Sequence, residues 1–190
     1  MKNGSRKSKK YVFLKKSAQY KEEGLAIMHG HFWIRSYSEL IPPAKPIVWL
    51  REPAQRLRSH FEFWKNPPKH KNPKYKLFKK ENFSFVEFAT HPEFTNRQYL
   101  FTNGVSLNNF VFVGIMEQME NSLNTLSDIL PCFPNTNPNI KVNFNPLKES
   151  EKYNIGKDEM ALIRKANELD YMLYESGLSI LKANMQRSKT

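Results

Sequence analysis

The sequence predicts an α/β fold with a mainly parallel sheet flanked by helices, in one domain that spans residues 1–190. Short apolar runs that are typical of buried strands alternate with segments whose apolar residues recur at helical spacing. Such alternation is typical of α/β layer folds. With 190 residues, 39 % of them hydrophobic, the chain is long enough for one hydrophobic core and too short for a second full domain.

Four short segments are the predicted strands. The first covers residues 24–29, and the second covers 46–51, after the breaker pair Pro42-Pro43. The third, 110–115, is a continuous apolar run that includes two valines and two phenylalanines. A short fourth strand is predicted over 140–144, after a loop rich in proline and asparagine.

The helices follow from apolar spacing and from capping residues. Pro53 stands where a first-turn proline belongs, and Leu57 and Phe61 follow at helical spacing, so a helix is predicted over 53–65. Ser84 is a suitable N-cap for a short helix that begins directly after it. The remaining predicted helices cover 85–90, 94–102, 117–130, 157–168 and 169–184.

The net charge of +12 is concentrated in two segments. Residues 2–16 and 65–80 each carry seven Lys or Arg and no acid, so the other 16 of the 30 basic residues are balanced by 18 acidic ones. We predict a poorly defined basic N-terminus over 1–23 and a lysine-rich loop over 66–82. Two such patches indicate either a polyanionic partner or two solvated, mobile segments.

Several classes of protein are disfavoured by the sequence. Cys132 is the single cysteine, so an intramolecular disulfide is excluded and a cysteine-based zinc site is implausible. No apolar run is long enough to cross a bilayer, and no signal-peptide pattern follows the basic start, so the chain, if complete, is expected to be cytoplasmic. The sequence lacks a Walker A motif and a recognisable RNA- or DNA-binding signature, so neither nucleotide hydrolysis nor a nucleic-acid partner is expected.

The strand–turn–helix unit over 46–59 predicts a phosphate site. A strand that leads into a helix directs free N–H groups and the positive end of the helix dipole to one place. Arg51 stands at the carboxyl end of this strand, where α/β proteins bind ligands, and Ser59 lies in the helix that follows. Arginine grips phosphate with two parallel hydrogen bonds, and a serine hydroxyl adds a third. Alternatively, Arg51 ends the strand or pairs with Glu52.

Four stretches of the chain, in a fixed order, go beyond this general signal. They are His29-Gly30-His31-Phe32, then Trp49-Leu50-Arg51-Glu52-Pro53 with Arg56 and Ser59, then Phe112-Val113-Gly114-Ile115-Met116-Glu117, and finally Asn143 followed by Asp170-Tyr171-Met172-Leu173-Tyr174-Glu175. Over about residues 24–180 this order resembles the membrane-type sulfotransferase family, most closely its 2-O-sulfotransferase branch, which acts on heparan sulfate and related uronyl sugars. Asn96-Arg97-Gln98 also resembles a family segment near the active site, with no role that we can assign from sequence.

The resemblance implies a P-loop-like three-layer fold and transfer of a sulfuryl group from 3′-phosphoadenosine 5′-phosphosulfate to a hydroxyl of a carbohydrate acceptor, without a metal. It implies that Arg51 and Ser59 hold the 3′-phosphate of this donor. His31 matches the catalytic base, and His29 would support it or contact the acceptor, unless His29 is structural. Histidine suits the role of base because its pKa lies near neutrality.

The chain departs from the family at the loop for the 5′-phosphosulfate. The family opens with a strand and a loop of the type Pro-Lys-Thr-Gly-x-Thr-Ser, whereas this chain offers Lys2-Asn3-Gly4-Ser5-Arg6 directly after Met1. If this stretch is a remnant of that loop, Lys2 and Ser5 would contact the 5′-phosphosulfate of the donor. Alternatively, it is a solvated basic tail. The sheet is therefore predicted to lack its first strand. An inactive or truncated relative that binds a polyanion, whether glycan or nucleic acid, is the alternative function.

The lysine-rich segment takes on a role through the same resemblance. Related enzymes place residues that contact the acceptor after the phosphate-binding helix, which implies that Lys65, Lys69 and Lys71 attract a sulfated or carboxylated glycan. A mobile, solvated loop is the alternative. Animal relatives act in the Golgi lumen, where a membrane anchor holds them. The sequence shows no such anchor, so it does not determine the cellular compartment of this protein.

Overall fold

The computed structural model describes residues 33–34, 46–65, 72–102, 105–130 and 153–187. This part of the chain is α/β, mostly helical, with one small sheet of two parallel strands. The strands are β1 (Ile47–Leu50) and β2 (Phe112–Ile115). The helices are α1 (Pro53–Lys65), α2 (Pro73–Glu81), α3 (Phe85–Thr90), α4 (Arg97–Thr102), α5 (Met119–Ile129), α6 (Lys157–Ala166) and α7 (Glu168–Arg187), with 3-10 turns at Leu107–Asn109 and Met116–Gln118.

The two strands pair in parallel, with Ile47 opposite Phe112 and Leu50 opposite Ile115. Parallel neighbours require a long crossover, which is supplied here by the four helices between them. The prediction of an α/β class with a parallel sheet is therefore confirmed, and both strands lie within their predicted ranges. The further strands predicted at 24–29 and 140–144 lie outside the described residues, as does the N-terminal segment 1–23. A P-loop-like arrangement stays a prediction.

The sheet is covered by α5 and α7. Every residue of β2 is buried, and Leu126 of α5 and Leu181 of α7 pack against the same core. Gly177 brings the backbone of α7 very close to the strands, because a Cβ at this position would lie 2.7 Å from Cδ1 of Leu50. This close packing fixes the register of α7, and therefore the position of its first turns beside the carboxyl ends of both strands.

A second core, made mainly of aromatic rings, is enclosed by α1, α2, α3 and α6. Phe88 and Phe94 stack with their ring centroids 4.4 Å apart, and edge-to-face contacts surround them. Such ring pairs add stabilisation beyond that of area burial. The buried members of this core are Ala54, Leu57, Phe61, Trp64, Phe78, Phe85, Phe88, Ala89, Phe94 and Ile163.

The prediction of a loop over 66–82 is wrong for its second half, where α2 covers Pro73–Glu81. Asn72 is the N-cap, because its Oδ1 accepts a hydrogen bond of 2.9 Å from the backbone N–H of Lys74, and Pro73 occupies the first helical position. Asn82 ends the helix in the left-handed conformation with φ of 49°. Because lysines dominate this segment, its helical apolar face was not recognised in the sequence. That face buries Phe78 in the aromatic core.

The other helices differ from prediction only at their ends. The helices at 53–65 and 85–90 have their predicted bounds, and Ser84 caps the latter. The helix predicted over 94–102 begins only at Arg97, because Asn96 has φ of 52° and interrupts the chain direction. The others differ from prediction at one or both ends by one to three residues. At several of these ends, 3-10 geometry or the buried junction at Asn167 interrupts the regular helix.

Candidate anion site at the carboxyl end of the sheet

The carboxyl ends of β1 and β2 meet at one edge, and charged residues follow each strand. Arg51 and Glu52 come directly after β1, and Glu117 lies in the 3-10 turn after β2. The predicted position of Arg51 at the end of a parallel strand is therefore confirmed. This edge is where open α/β sheets bind their ligands.

The backbone of Arg51 is held by the side chain of Gln98. The amide oxygen of Gln98 accepts from Arg51 N, and its amide nitrogen donates to Arg51 O, each over 2.8 Å. This pair of bonds mimics the pairing of a further strand and fixes the start of α4 beside Arg51. The guanidinium Nε of Arg51 lies 3.9 Å from Oε1 of Glu117, which is an ion pair without a short hydrogen bond.

The N-terminus of α1 differs from the expectation of free N–H groups aimed at a ligand. Pro53 has no N–H, and the N–H of Gln55 donates over 2.7 Å to Oε2 of Glu52. The N–H of Arg56 donates over 2.9 Å to the carbonyl oxygen of Glu52. The first turn of α1 is therefore capped from within the protein. Attraction for an anion at this edge must come from side chains rather than from the helix N-terminus.

Two tyrosines of α7 hold the carboxylates of this edge. Tyr171 donates from its hydroxyl over 2.6 Å to Oε1 of Glu52, and Tyr174 donates over 3.1 Å to Oε2 of Glu117. Burial, followed by these carboxylate contacts, raises the pKa of both phenols well above the ordinary value of 10.0. Both tyrosines are therefore neutral donors at physiological pH, and neither serves as a base.

Ser59 lies in the second turn of α1 beyond Arg51 and is partly exposed. Residues three apart on a helix share a face, so Ser59 lies on the same side of α1 as Arg56. Arg56 belongs to the site although sequence reasoning gave it no role. Its pKa is lowered, mainly by burial, and the charges of Arg97 and Arg51 lower it further while Asp170 raises it. The charged groups that act on Arg56 are therefore those of Asp170, Arg97 and Arg51.

The segment Asn96-Arg97-Gln98 now has a structural role. Asp170 accepts from the backbone N–H of Tyr99 over 2.7 Å and of Gln98 over 3.3 Å, so its carboxylate caps the start of α4. Burial of this carboxylate raises its pKa, against the lowering effect of these backbone bonds and of Arg56. In the sequence, the one indication of this contact is that Asn96-Arg97-Gln98 and the segment that begins at Asp170 both belong to the stretches that resemble the sulfotransferase family.

The other predicted site residues divide into two groups. His29, His31, Lys2, Ser5, Lys69 and Lys71 lie outside the described residues. Lys65 is described and lies in the last turn of α1, about 18 Å along the helix axis from Pro53. Its ammonium lies 4.6 Å from the centroid of the Phe61 ring and 3.4 Å from Glu62. The structure therefore does not bring Lys65 together with Arg51.

Other kinds of site find no support in the described part of the chain. These residues include no group of three or more His, Cys, Asp or Glu side chains that could hold a metal ion. Among the described helices, none has the length and apolar character needed to cross a membrane.

An open depression of about 630 Å³, lined by Val111, Asp128, Ile129, Asn184 and Arg187, lies at the amino end of β2, away from Arg51.

Comparison with protein-family models, with curated proteins and with solved structures found no match for this chain. Assignment to the sulfotransferases thus depends on the four sequence stretches described above. The described structure adds the geometry of the second and third of these, and of the segment from Asp170 to Glu175 in the fourth.

Proposed function

We propose that this protein is a sulfotransferase-like protein that binds 3′-phosphoadenosine 5′-phosphosulfate and moves its sulfuryl group to a hydroxyl of a carbohydrate. The observation that carries this proposal is the position of Arg51. It ends a parallel strand and leads directly into α1, which carries Arg56 and Ser59 on one face. This is the arrangement that the resemblance predicts for the half of the donor site that binds the 3′-phosphate.

In this proposal, Arg51 and Ser59 hold the 3′-phosphate of the donor. A guanidinium matches the geometry of a phosphate better than an ammonium does, because two of its N–H groups donate in parallel. The two hydrogen bonds between Gln98 and the backbone of Arg51 support this role, since they fix the backbone from which the arginine side chain extends. Lys2 and Ser5 would contact the 5′-phosphosulfate.

The proposed reaction is an in-line displacement at sulfur. His31 takes the proton of the acceptor hydroxyl as its oxygen bonds to sulfur, and His29 supports this base. The bond from sulfur to the 5′-phosphate oxygen breaks, which releases adenosine 3′,5′-bisphosphate. Negative charge builds on the leaving and equatorial oxygens, so cationic groups around them lower the barrier.

Binding of adenosine 3′,5′-bisphosphate tests the donor site directly. A ligand that binds only the folded chain stabilises it, so titration of the intact chain should raise its Tm progressively with the ligand concentration. Arg51→Gln should remove most of this rise, because it deletes the charge at the phosphate. The absence of any shift for the intact chain would refute donor binding.

The role of His31 is tested separately. We expect His31→Ala to abolish formation of the bisphosphate from the donor in the presence of a desulfated glycosaminoglycan, because no base then accepts the hydroxyl proton. The bisphosphate should still raise the Tm of this variant. Turnover equal to that of the unmodified chain would remove His31 from the mechanism.

Polyanion binding without catalysis is the second candidate function, and the surface of α2 favours it. Lys76, Lys79 and Lys80 are exposed and recur at helical spacing, so they share one face. Lys74 is not part of this face, because its ammonium donates over 2.6 Å to the backbone oxygen of Glu93. Salt-sensitive binding to heparin or DNA, without a response to the bisphosphate, would favour this function over the first.

A further inference from the structure

Three arginines from separate elements approach the carboxyl end of β1. Arg51 follows β1, Arg56 lies in α1, and Arg97 is the first residue of α4. The two hydrogen bonds between Gln98 and the Arg51 backbone hold the start of α4 against the end of β1. Arg97 precedes Gln98 in the chain, so its backbone lies next to this contact with the end of β1.

Arg56 carries a hydrogen-bond donor that no acceptor in the described part of the chain satisfies. Its Nη1 is shielded from solvent and has no hydrogen-bond partner within the described part of the chain, although the residue as a whole keeps some exposure. A buried guanidinium nitrogen without a partner costs free energy, since it has given up its water. Burial lowers the pKa of Arg56, and repulsion from Arg97 and Arg51 lowers it further, as expected for charges that the contacts of Gln98 and the start of α1 hold in one region.

The carboxylates near this cluster act on its arginines by charge, Asp170 on Arg56 and Glu117 on Arg51, but their short hydrogen bonds are made with other partners. Asp170 accepts the backbone N–H groups at the start of α4. Glu52 accepts from the Tyr171 hydroxyl and from Gln55 N. Glu117 accepts from the Tyr174 hydroxyl and from Glu52 N, and its 3.9 Å separation from Nε of Arg51 exceeds hydrogen-bond length. A bound anion would thus supply acceptors that the described carboxylates do not.

From this arrangement we infer that Arg51, Arg56 and Arg97 form a three-arginine site for the dianion of a phosphate monoester. Arg97 supplies a direct contact that neither Arg51 nor Ser59 provides. The inference deepens the proposed function, because in that setting the monoester is the 3′-phosphate of the donor. Three guanidinium groups favour a dianionic monoester over a singly charged diester.

The specificity of the site follows from its charge. Adenosine 3′,5′-bisphosphate and 3′-AMP present a 3′-monoester, whereas 5′-AMP does not. We expect Arg97→Gln to weaken binding of the bisphosphate and of 3′-AMP roughly tenfold to a hundredfold, which is the worth of a charge-assisted hydrogen bond. Binding of 5′-AMP, weak from the start, should change little.

The test is calorimetric titration of the intact chain with the bisphosphate, 3′-AMP, 5′-AMP and inorganic phosphate. Arg187→Gln is the matched control, because Arg187 lies at the far end of α7, about 25 Å along the helix from Asp170. Since Nη1 of Arg56 is buried, Arg56→Lys is the variant used at that position, and circular dichroism checks that it folds. It should bind the bisphosphate more weakly than the unmodified chain does.

The outcomes separate this inference from the proposed function. If the bisphosphate binds and Arg97→Gln binds it equally well, the three-arginine site is refuted while donor binding stands. If the bisphosphate does not bind but inorganic phosphate does, and this binding depends on Arg97, the site stands and the donor proposal fails. If neither compound binds the intact chain, both are refuted.

Discussion

At the scale of single residues, two glutamines take the place of missing backbone partners. Gln98 bonds both the N–H and the carbonyl of Arg51, and Gln55 bonds the N–H and the carbonyl of Tyr153 over 2.8 and 3.0 Å. A primary amide suits this task because it carries one donor and one acceptor side by side. Each glutamine connects segments that are far apart in sequence, so no local pattern could have indicated the contact.

Replacement of Gln98 by alanine should therefore destabilise the fold. The N–H and the carbonyl of Arg51 would both lose their partners, at a cost of roughly 1–3 kcal/mol in the free energy of unfolding. Urea denaturation measures this difference. Gln118→Ala is the matched control, because Gln118 is exposed, and it should change stability by less than about 0.5 kcal/mol. Equal stability of Gln98→Ala and the unmodified chain would show that these two hydrogen bonds contribute nothing to the free energy of unfolding.

At the scale of elements, α3 shows how much a few adjacent residues determine. Ser84 and Glu87 form a reciprocal capping box, in which Glu87 Oε2 accepts from Ser84 N over 2.8 Å and Ser84 Oγ accepts from Glu87 N over 3.3 Å. All of these contacts fall within four residues. The helix was predicted with correct bounds because its start signal is local.

The capping box should be visible in the pH dependence of stability. The hydrogen bond from the Ser84 backbone, and then that from its hydroxyl, lowers the pKa of Glu87 below the ordinary value of 4.5. A carboxyl with a lowered folded-state pKa stabilises the fold above its unfolded pKa and loses this contribution as the pH falls through the folded value. The contribution is therefore present at pH 7 and lost below about pH 4.5.

Glu87→Gln isolates this effect. Its stability should fall below that of the unmodified chain at pH 7, and the difference should shrink in urea denaturation series at pH 5, 4 and 3. The comparison is necessary because Glu93, whose pKa is lowered by Lys74, titrates in the same direction in both proteins. A difference that stays constant from pH 7 to 3 would contradict the role of the Glu87 charge.

At the scale of the whole molecule, one buried asparagine joins elements of both cores. Asn167 lies between α6 and α7 and is fully buried. Its side chain donates over 2.9 Å to the carbonyls of Ala89 and Ile163 and accepts over 3.1 Å from the N–H of Asn96. The junction fixes α3, the start of α4 and the start of α7, and so it fixes the edge that carries Arg97.

Loss of this junction should destabilise the entire described fold. Asn167→Ala leaves buried backbone groups of two other segments without partners, which should cost about 3 kcal/mol. Asn167→Asp should also destabilise, because a carboxylate would face the two carbonyls. Thermal and urea unfolding measure both effects, with exposed Asn109→Ala as the control. An Asn167→Ala protein with unchanged Tm would contradict this role.

Several features of this protein were determined by the sequence alone. The α/β class, both strands, the bounds of α1 and α3, and the position of Arg51 at a strand end all follow from apolar spacing and from caps that lie within a few residues of each other. The candidate phosphate position was predicted for the same reason, since Arg51 and the start of α1 are adjacent in the chain.

The composition of the candidate site was decided only by the tertiary structure. Gln98 and Arg51 are 47 positions apart, and Tyr171 and Glu52 are 119 apart, so packing rather than local pattern brings them together. The contacts of Gln98 also bring the start of α4, with Arg97, to the end of β1. Local sequence therefore determined where the proposed anion site begins and that Pro53 and Glu52 occupy the start of α1, whereas contacts between distant segments decided which side chains surround Arg51.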